Sequence, residues 1–145
     1  LGGRELSYHS DLDLILVYEG DGTTAPPAGG DPGGRFVPAA NGRYFTDLAQ
    51  KVGRWLSQPG PLGRLYAVDW RLRPTGKSGA LVLPLGEFRR YFAPGGGGDF
   101  RERQALTRAR VVRGDPGFAA EVEAAVREAV TSAPNPAGLA DEVRA

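Results

Sequence analysis

The chain has 145 residues, of which 41% are hydrophobic and 24% charged, so it has the size and composition of one globular domain. Its formal net charge at pH 7 is +1, which argues against the strong electrostatic field of a nucleic-acid-binding or membrane-surface protein. It contains no cysteine and one histidine, which excludes disulfides, thiolate metal sites and histidine-rich zinc sites.

The apolar runs and the first residue of the sequence indicate where the protein is located and whether it is a fragment. No apolar run approaches the roughly 20 residues that cross a membrane, and no stretch reads as a signal peptide. We therefore expect a cytoplasmic protein without a membrane partner. Because the chain starts at Leu1 without an initiator methionine, we also expect a fragment of a larger protein.

The first half of the chain predicts a strand, a loop and a helix. Alternation predicts a strand over 10–18, with Asp11 and Asp13 on one face and apolar residues beyond them on both faces. The segment 20–40 is dense in Gly, Pro and Ala, which predicts a flexible loop. Apolar residues at helical spacing predict a helix over about 42–57. Its apolar stripe consists of Phe45, Leu48, Ala49, Val52 and Leu56.

The second half predicts two further strands and three helices. These are a strand over 64–73, a short strand over 80–84, and helices over 85–92, 100–113 and about 116–131. A glycine-rich stretch, 93–99, predicts a second flexible break. Asp115 and Pro116 form a favourable start for the last helix. The order of elements favours an α+β fold, a small mixed β-sheet with helices packed on it, followed by C-terminal helices.

Two carboxylates stand at the start of the first predicted strand. Asp11 and Asp13 are two residues apart and so point to the same side, where their charges repel unless a cation lies between them. Oxygen ligands without His or Cys favour Mg²⁺ or Mn²⁺. The alternative is that the two acids cap a turn and face water.

The strand predicted over 64–73 carries a third carboxylate, Asp69, on the same face as Arg71 and Arg73. If this strand lies beside the first, three acids and two guanidinium groups converge. Three acids can hold two divalent ions roughly 3.5–4 Å apart for in-line nucleotidyl transfer, and arginines can bind phosphate oxygens. The alternative is a surface ladder of cross-strand Asp–Arg salt bridges.

Other polar motifs carry weaker signals. Gly2 and Gly3 allow backbone amides to approach a phosphate, and Ser10 could add a hydroxyl. The chain has no Walker A motif, and Lys77 is as compatible with a solvated loop as with a phosphate contact. The predicted helix over 100–113 contains several arginines, which we interpret as a solvated helix face. They are Arg103, Arg108, Arg110 and Arg113.

Three blocks carry a family resemblance. "LGGRELSYHSDLDLI" resembles the Gly-Gly and Asp-x-Asp signature of the DNA polymerase β-like nucleotidyltransferase superfamily. "LYAVDWRLRPTGKSGALV" and "ERQALTRARVVRGDP" resemble two blocks of one family within it, glutamine synthetase adenylyltransferase. The usual Gly-Lys before Gly2 is absent, Phe100-Arg101 stands where that family has Trp, and the Gly-rich stretches near Gly29 and Gly95 look like insertions.

The resemblance implies a polymerase β-like fold and assigns roles to residues. Asp11, Asp13 and Asp69 match the catalytic and Mg²⁺-binding acids, with Asp69 the favoured general base. The residues that match the ATP-binding positions are Gly2, Gly3, Ser10, Arg71 and Arg73. The implied division of the chain is a catalytic core over 1–94, including the loop 20–40, and a helical extension over 95–145.

The resemblance also implies partners and leaves alternatives open. Members of the family transfer AMP from ATP to a tyrosine of glutamine synthetase in one domain and remove it by phosphorolysis in another. "QALTRARVV" favours the adenylylating copy. The PII signalling protein is expected to act through the whole enzyme. After the adenylylating and the AMP-removing domain, a third hypothesis is a non-catalytic interaction module of the same fold. Nucleic-acid binding is the fourth and least favoured hypothesis.

Overall fold

The structure is a computed structural model, and it describes residues 10–26, 28–61, 63–64, 66–74, 76 and 79–132. Within these residues it contains short strands and four helices. The strands are β1 (Leu12–Asp13), β2 (Leu16–Tyr18), β3 (Pro59–Gly60), β4 (Gly63–Arg64), β5 (Val68–Asp69) and β6 (Val82–Pro84). The helices are α1 (Asn41–Ser57), α2 (Leu85–Phe92), α3 (Phe100–Leu106) and α4 (Pro116–Thr131). None of the described helices is long and apolar enough to cross a membrane.

Two parallel strand pairs follow each other along the first extended segment. β1 pairs with β5, and β2 pairs with β6, both in parallel. β3 and β4 form a separate antiparallel hairpin. This mixture of parallel and antiparallel pairs, combined with helices, confirms a small mixed α/β architecture, while the polymerase β-like fold itself stays a prediction.

The strands are shorter than their sequence patterns predict. The strand expected over 10–18 is interrupted at Leu14 and Ile15, and only Val68 and Asp69 of the stretch after the hairpin belong to a strand beside β1. A turn begins at Arg71 because the Asp69 carboxylate accepts the backbone N–H of Arg71. A side chain that bonds its own backbone two residues on favours a turn over a continued ladder.

The loop 20–40 is anchored at its base. Thr24 and Ala39 share a backbone hydrogen bond of 2.9 Å, and the Ala39 N–H also donates to the Thr24 hydroxyl oxygen at 3.0 Å. Asn41 closes the same base by donating its side-chain amide to the Gly20 carbonyl oxygen at 2.9 Å. The lack of regular structure between these anchors agrees with the sequence, although one isolated antiparallel bridge joins Thr23 and Ala40.

The helices α1, α2 and α4 match their predicted bounds to within one residue, whereas α3 is much shorter than predicted. α3 begins at a capping box formed by Asp99 and Glu102, but it ends at Leu106 instead of residue 113. Tight i→i+3 bonds close its end, and the Thr107 hydroxyl donates to the Gln104 carbonyl at 2.6 Å. A β-branched residue that bonds the preceding turn weakens helix propagation, so the helix stops there.

The main core lies between β6 and the three C-terminal helices. Its fully buried members are Leu83, Leu85, Phe88, Phe92, Leu106, Ala125 and Ala129. The predicted apolar face of α4 packs against this cluster through Phe118, Val122, Val126 and Val130. A smaller cluster joins Tyr18 and Val82 to Ala49 of α1, while Leu48 of the predicted α1 stripe is 42% exposed. β6 is thus buried on both sides, by the main core through Leu83 and by the smaller cluster through Val82, and it pairs with β2, the strand that follows β1 along the chain.

Candidate functional site

The register of β1 and β5 brings two of the three predicted acids together. Asp13 lies directly opposite Asp69, and Leu12 lies opposite Val68. The pairing is held by the Leu12 N–H on the Ala67 carbonyl at 2.8 Å and the Leu14 N–H on the Asp69 carbonyl at 3.1 Å. Residues opposite each other on neighbouring strands point to the same face of a sheet. The two carboxylates therefore share a face.

Electrostatic strain is concentrated on Asp13. Partial burial raises the pKa of its carboxyl most, and the negative charges of Asp69 and Asp11 raise it further. The positive charge of Arg71 lowers this pKa and so offsets part of the repulsion. Desolvation and like charges both disfavour a carboxylate, so this point of the site favours an added positive charge.

Arg71 supplies positive charge directly to Asp69. Its backbone N–H donates to Asp69 Oδ1 at 2.8 Å, and its Nε donates to Oδ2 at 2.6 Å. Its Nη2 also forms an ion pair with Oδ2. Asp69 raises the pKa of the Arg71 guanidinium through this hydrogen bond and through its charge. The Asp–Arg pair thus lies within one turn, and it differs from the cross-strand ladder that the sequence left open.

Arg73 has a different position from Arg71. Its Nη1 donates to the Trp70 carbonyl at 2.8 Å, and its Nε donates to the Gly79 carbonyl at 3.1 Å. These bonds brace the loop that follows Asp69. Gly53 of α1 packs against the Trp70 ring, since a Cβ on Gly53 would lie 3.0 Å from Trp70 Cζ2. α1 and Arg73 therefore hold the residues around Asp69 in place.

Some predicted site residues have exposed or undescribed positions. Asp11 is exposed, and Ser10 is half-buried and precedes it directly. Gly2, Gly3 and Lys77 lie outside the described residues, so their predicted phosphate contacts stay predictions.

The three acids offer Mg²⁺ carboxylate oxygens as ligands. Carboxylate oxygens are suitable ligands for this ion, and the raised pKa of Asp13 reflects a concentration of negative charge. Among the described residues, however, no group of three or more acidic, His or Cys side chains is arranged to hold a metal ion. Arg71 bonds both oxygens of Asp69 in this arrangement. The carboxylate oxygens of these residues suit a hard cation by their chemistry.

Arg103 has a structural role in the fold, and the sequence interpretation placed it wrongly. It was expected on a solvated face, but it is 4% exposed. It donates to main-chain carbonyl oxygens of Phe92 at 2.9 Å and Gly98 at 3.3 Å, and to that of Ala129. Phe92 and Ala129 stand near the ends of α2 and α4, where unpaired carbonyls attract a cation. Its neighbour Arg108 is exposed, as expected for a solvated arginine.

The comparisons with known proteins agree on one family. Residues 1–125 match the family model described as glutamate-ammonia ligase adenylyltransferase. The chain is 39% identical over 145 residues to the bifunctional glutamine synthetase adenylyltransferase/adenylyl-removing enzyme of Chromobacterium violaceum. This match covers 100% of the chain and 14% of that protein. It is 41% identical over 134 residues to the protein of the same description from Pseudomonas aeruginosa, covering 92% of the chain and 13% of that protein.

A relative from Ralstonia nicotianae, with the same description, is 40% identical over 148 residues and covers 100% of the chain. The chain thus spans about one seventh of the length of these relatives, at 13–14% of each. A family-model match over residues 1–125 and identities near 40% over nearly the whole chain leave one assignment. The chain belongs to the glutamate-ammonia ligase adenylyltransferase family.

Proposed function

We propose that the chain is a nucleotidyltransferase domain of the polymerase β-like fold, which transfers AMP from ATP to a tyrosine of glutamine synthetase. The observation that carries this proposal is the register of Asp13 and Asp69 on parallel strands in a member of this family. The relatives are described as glutamine synthetase adenylyltransferases, which supports ATP and glutamine synthetase as the two substrates.

The carboxylates are proposed to hold Mg²⁺. Asp13 and Asp69 share a face, and Asp11 adds to the negative charge that Asp13 experiences. In a two-ion arrangement, Mg²⁺ would neutralise charge on the phosphates and on the attacking and leaving oxygens. These three residues are the predicted catalytic acids.

The reaction that we propose is an in-line displacement at the α-phosphorus of ATP. The tyrosine oxygen forms a bond to this phosphorus, the bond to the β-phosphate oxygen breaks, and pyrophosphate leaves. One of the acids, for which we favour Asp69, accepts the tyrosine proton. The nucleotide phosphates would be bound by the Gly2-Gly3 backbone, the Ser10 hydroxyl and the two arginines of the turn after Asp69, Arg71 and Arg73.

The setting of this domain is part of the proposal. We place it in the cytoplasm, within a longer enzyme on which the PII protein acts through other parts of the polypeptide. The boundary between a core over 1–94 and a helical extension over 95–145 is kept as a sequence prediction.

A second candidate function is removal of AMP. The relatives are named as both adenylyltransferase and adenylyl-removing enzymes, and the chain covers only 14% of them, so either activity could belong to it. In this reaction, an oxygen of inorganic phosphate forms a bond to the phosphorus of AMP-tyrosine, the bond from that phosphorus to the tyrosine oxygen breaks, the tyrosine leaves and regains a proton, and ADP is the product. The motif "QALTRARVV" favours transfer over removal.

An assay with α-labelled ATP and Mg²⁺ tests the proposal. The chain is incubated with unmodified glutamine synthetase, and Asp13→Asn serves as the control variant. Label on the synthetase with the wild-type chain alone supports transfer. Absence of label, with phosphate-dependent release of ADP from adenylylated synthetase, reassigns the chain to removal. Absence of both activities in a folded chain favours a non-catalytic interaction module.

A further inference from the structure

The Asp69 carboxylate is engaged by a cationic side chain from its own turn. Arg71 bonds Oδ1 through its backbone N–H and Oδ2 through its guanidinium. The guanidinium thus occupies an oxygen that a divalent cation would need. This contact with Asp69 gives Arg71 a role beyond the ATP binding that the family resemblance implies.

We propose that Arg71 exchanges partners when the cation and the nucleotide bind. Without a cation, its guanidinium neutralises Asp69; when a divalent cation takes the carboxylate, the guanidinium is released and binds the phosphates of the incoming nucleotide. This inference rests on the proposed function, because it assumes that the three acids bind a cation. It goes further in naming the group that competes with the cation.

The exposure of the two partners allows such an exchange. The Arg71 side chain is 65% exposed, whereas that of Asp69 is 12% exposed. The arginine can therefore swing into solvent while the acid keeps its place. The backbone N–H of Arg71 stays on Oδ1 during this movement, because it depends on the turn and not on the side chain. The carboxylate is then still oriented when its second oxygen is freed.

Charge balance supplies the driving force. Asp13 lies directly opposite Asp69 on the parallel strands, so the negative charges of the two acids are concentrated on one face and need a positive charge beside them. A guanidinium with one charge meets this need weakly in an exposed position. A divalent cation carries twice that charge and bonds carboxylate oxygens directly. It is therefore expected to displace the guanidinium.

Arg73, which the sequence placed on the same face and which is also proposed to bind phosphate, is not suited to an exchange of partners. It is half-buried, and its guanidinium bonds two main-chain carbonyls, those of Trp70 and Gly79. Moving it would leave these carbonyls without that donor and loosen the loop. The contrast between an exposed and a bracing arginine singles out Arg71.

Two binding measurements on the full chain test the exchange. Free Mn²⁺ is followed by electron paramagnetic resonance during titration, and binding of Mg²⁺–ATP is measured by calorimetry. Arg71→Gln is expected to bind Mn²⁺ alone about tenfold more tightly and Mg²⁺–ATP about tenfold more weakly. Arg71→Lys keeps the charge with fewer donors and should give intermediate values. Circular dichroism confirms that each variant is folded.

Two control variants separate this effect from general changes of charge. Arg89→Gln removes one charge from an exposed ion pair with Glu128 on the helical part of the fold, and both affinities should stay unchanged. Asp69→Asn removes the negative charge and one of the two acceptor oxygens that Arg71 and the cation share, and it should weaken Mn²⁺ binding.

The outcomes distinguish this inference from the proposed function. If the wild type binds Mn²⁺ but Arg71→Gln binds it equally or more weakly, the exchange is overturned and the cation site of the proposed function stands. An unchanged affinity for Mg²⁺–ATP overturns the transfer of Arg71 to phosphate. If neither the wild type nor Arg71→Gln binds Mn²⁺, both the exchange and the cation site are wrong.

Discussion

Single charged residues in this chain occupy two contrasting environments. Asp13 lies among like charges and carries a raised pKa, whereas Arg103 is buried with main-chain carbonyls as acceptors. A charge without sufficient compensation destabilises the folded state, and a buried charge with several hydrogen bonds stabilises it. The first arrangement is typical of a functional site, the second of a structural one.

Replacing Asp13 should separate activity from stability. Asp13→Asn is expected to abolish adenylyl transfer and, without Mg²⁺, to raise the stability of the fold at pH 7. The folded-state pKa of Asp13 lies above its unfolded value of 3.8, mainly through burial and then through Asp69 and Asp11. The folded state therefore binds more protons between the two pKa values, and this residue's contribution to stability falls as pH rises through that window.

Urea unfolding at pH 7 and near pH 3 measures this contribution. Asp13→Asn should be more stable than the wild type at pH 7. This difference in stability should shrink in acid, where the wild-type Asp13 carboxyl is protonated in both the folded and the unfolded state. Equal stability of the two proteins at pH 7 would contradict the raised pKa.

Arg103 should be among the side chains that matter most for folding. Arg103→Met keeps much of the volume but removes the guanidinium donor from the carbonyls of Phe92, Gly98 and Ala129, so a loss of about 3 kcal/mol is expected. Arg101→Met, an exposed position on the same helix, should change the stability by less than about 0.5 kcal/mol. Similar losses in both variants, measured by urea unfolding, would count against the role of Arg103.

At the scale of elements, the glycine-rich stretch 93–99 packs closely against the C-terminal end of α2. The Gly98 N–H donates to the Tyr91 carbonyl at 3.0 Å, and a Cβ on Gly98 would lie 2.5 Å from Phe92 Cδ1. A run of glycines in the sequence predicts freedom, because glycine has no side chain to restrict it. In the structure the same lack of a side chain permits close approach to a buried ring.

Two glycine substitutions around α2 should have opposite effects. Gly98→Ala is expected to cost about 1–3 kcal/mol through overpacking against Phe92. Gly86→Ala lies on α2 with no atom within 4 Å of its new Cβ, and it should raise stability by up to about 1 kcal/mol through helix propensity. Thermal and urea unfolding of both variants measure these values. A neutral Gly98→Ala would show that the stretch is free to move.

At the scale of the whole molecule, one core ties the β2–β6 pair to the C-terminal helices. Leu83 and Leu85 share a buried cluster with Leu106, Ala125 and Ala129. β6, which pairs with β2, therefore depends on α3 and α4 for its burial. The predicted boundary at residue 94 would pass through this cluster.

Truncation tests whether the chain folds as one unit. A fragment of residues 1–94 exposes the core face of Leu83, Phe88 and Phe92 that α3 and α4 cover, so it is expected to be unfolded by circular dichroism. A chain ending at residue 132 keeps every member of the cluster and should stay folded. Cooperative unfolding of the fragment 1–94 would show that the helical extension is separable.

Local patterns determined much of this protein, because they depend on neighbours in the chain. Sequence patterns located the helices α1, α2 and α4. The Asp115-Pro116 start was confirmed by hydrogen bonds from the backbone N–H groups of Gly117 and Phe118 to the Asp115 carboxylate. Three motif blocks indicated the family. Contacts between distant segments required the tertiary structure: the register of Asp13 with Asp69, the burial of Arg103, and the close approach of Gly98 to Phe92. These depend on which surfaces meet, and spacing along the chain does not specify that.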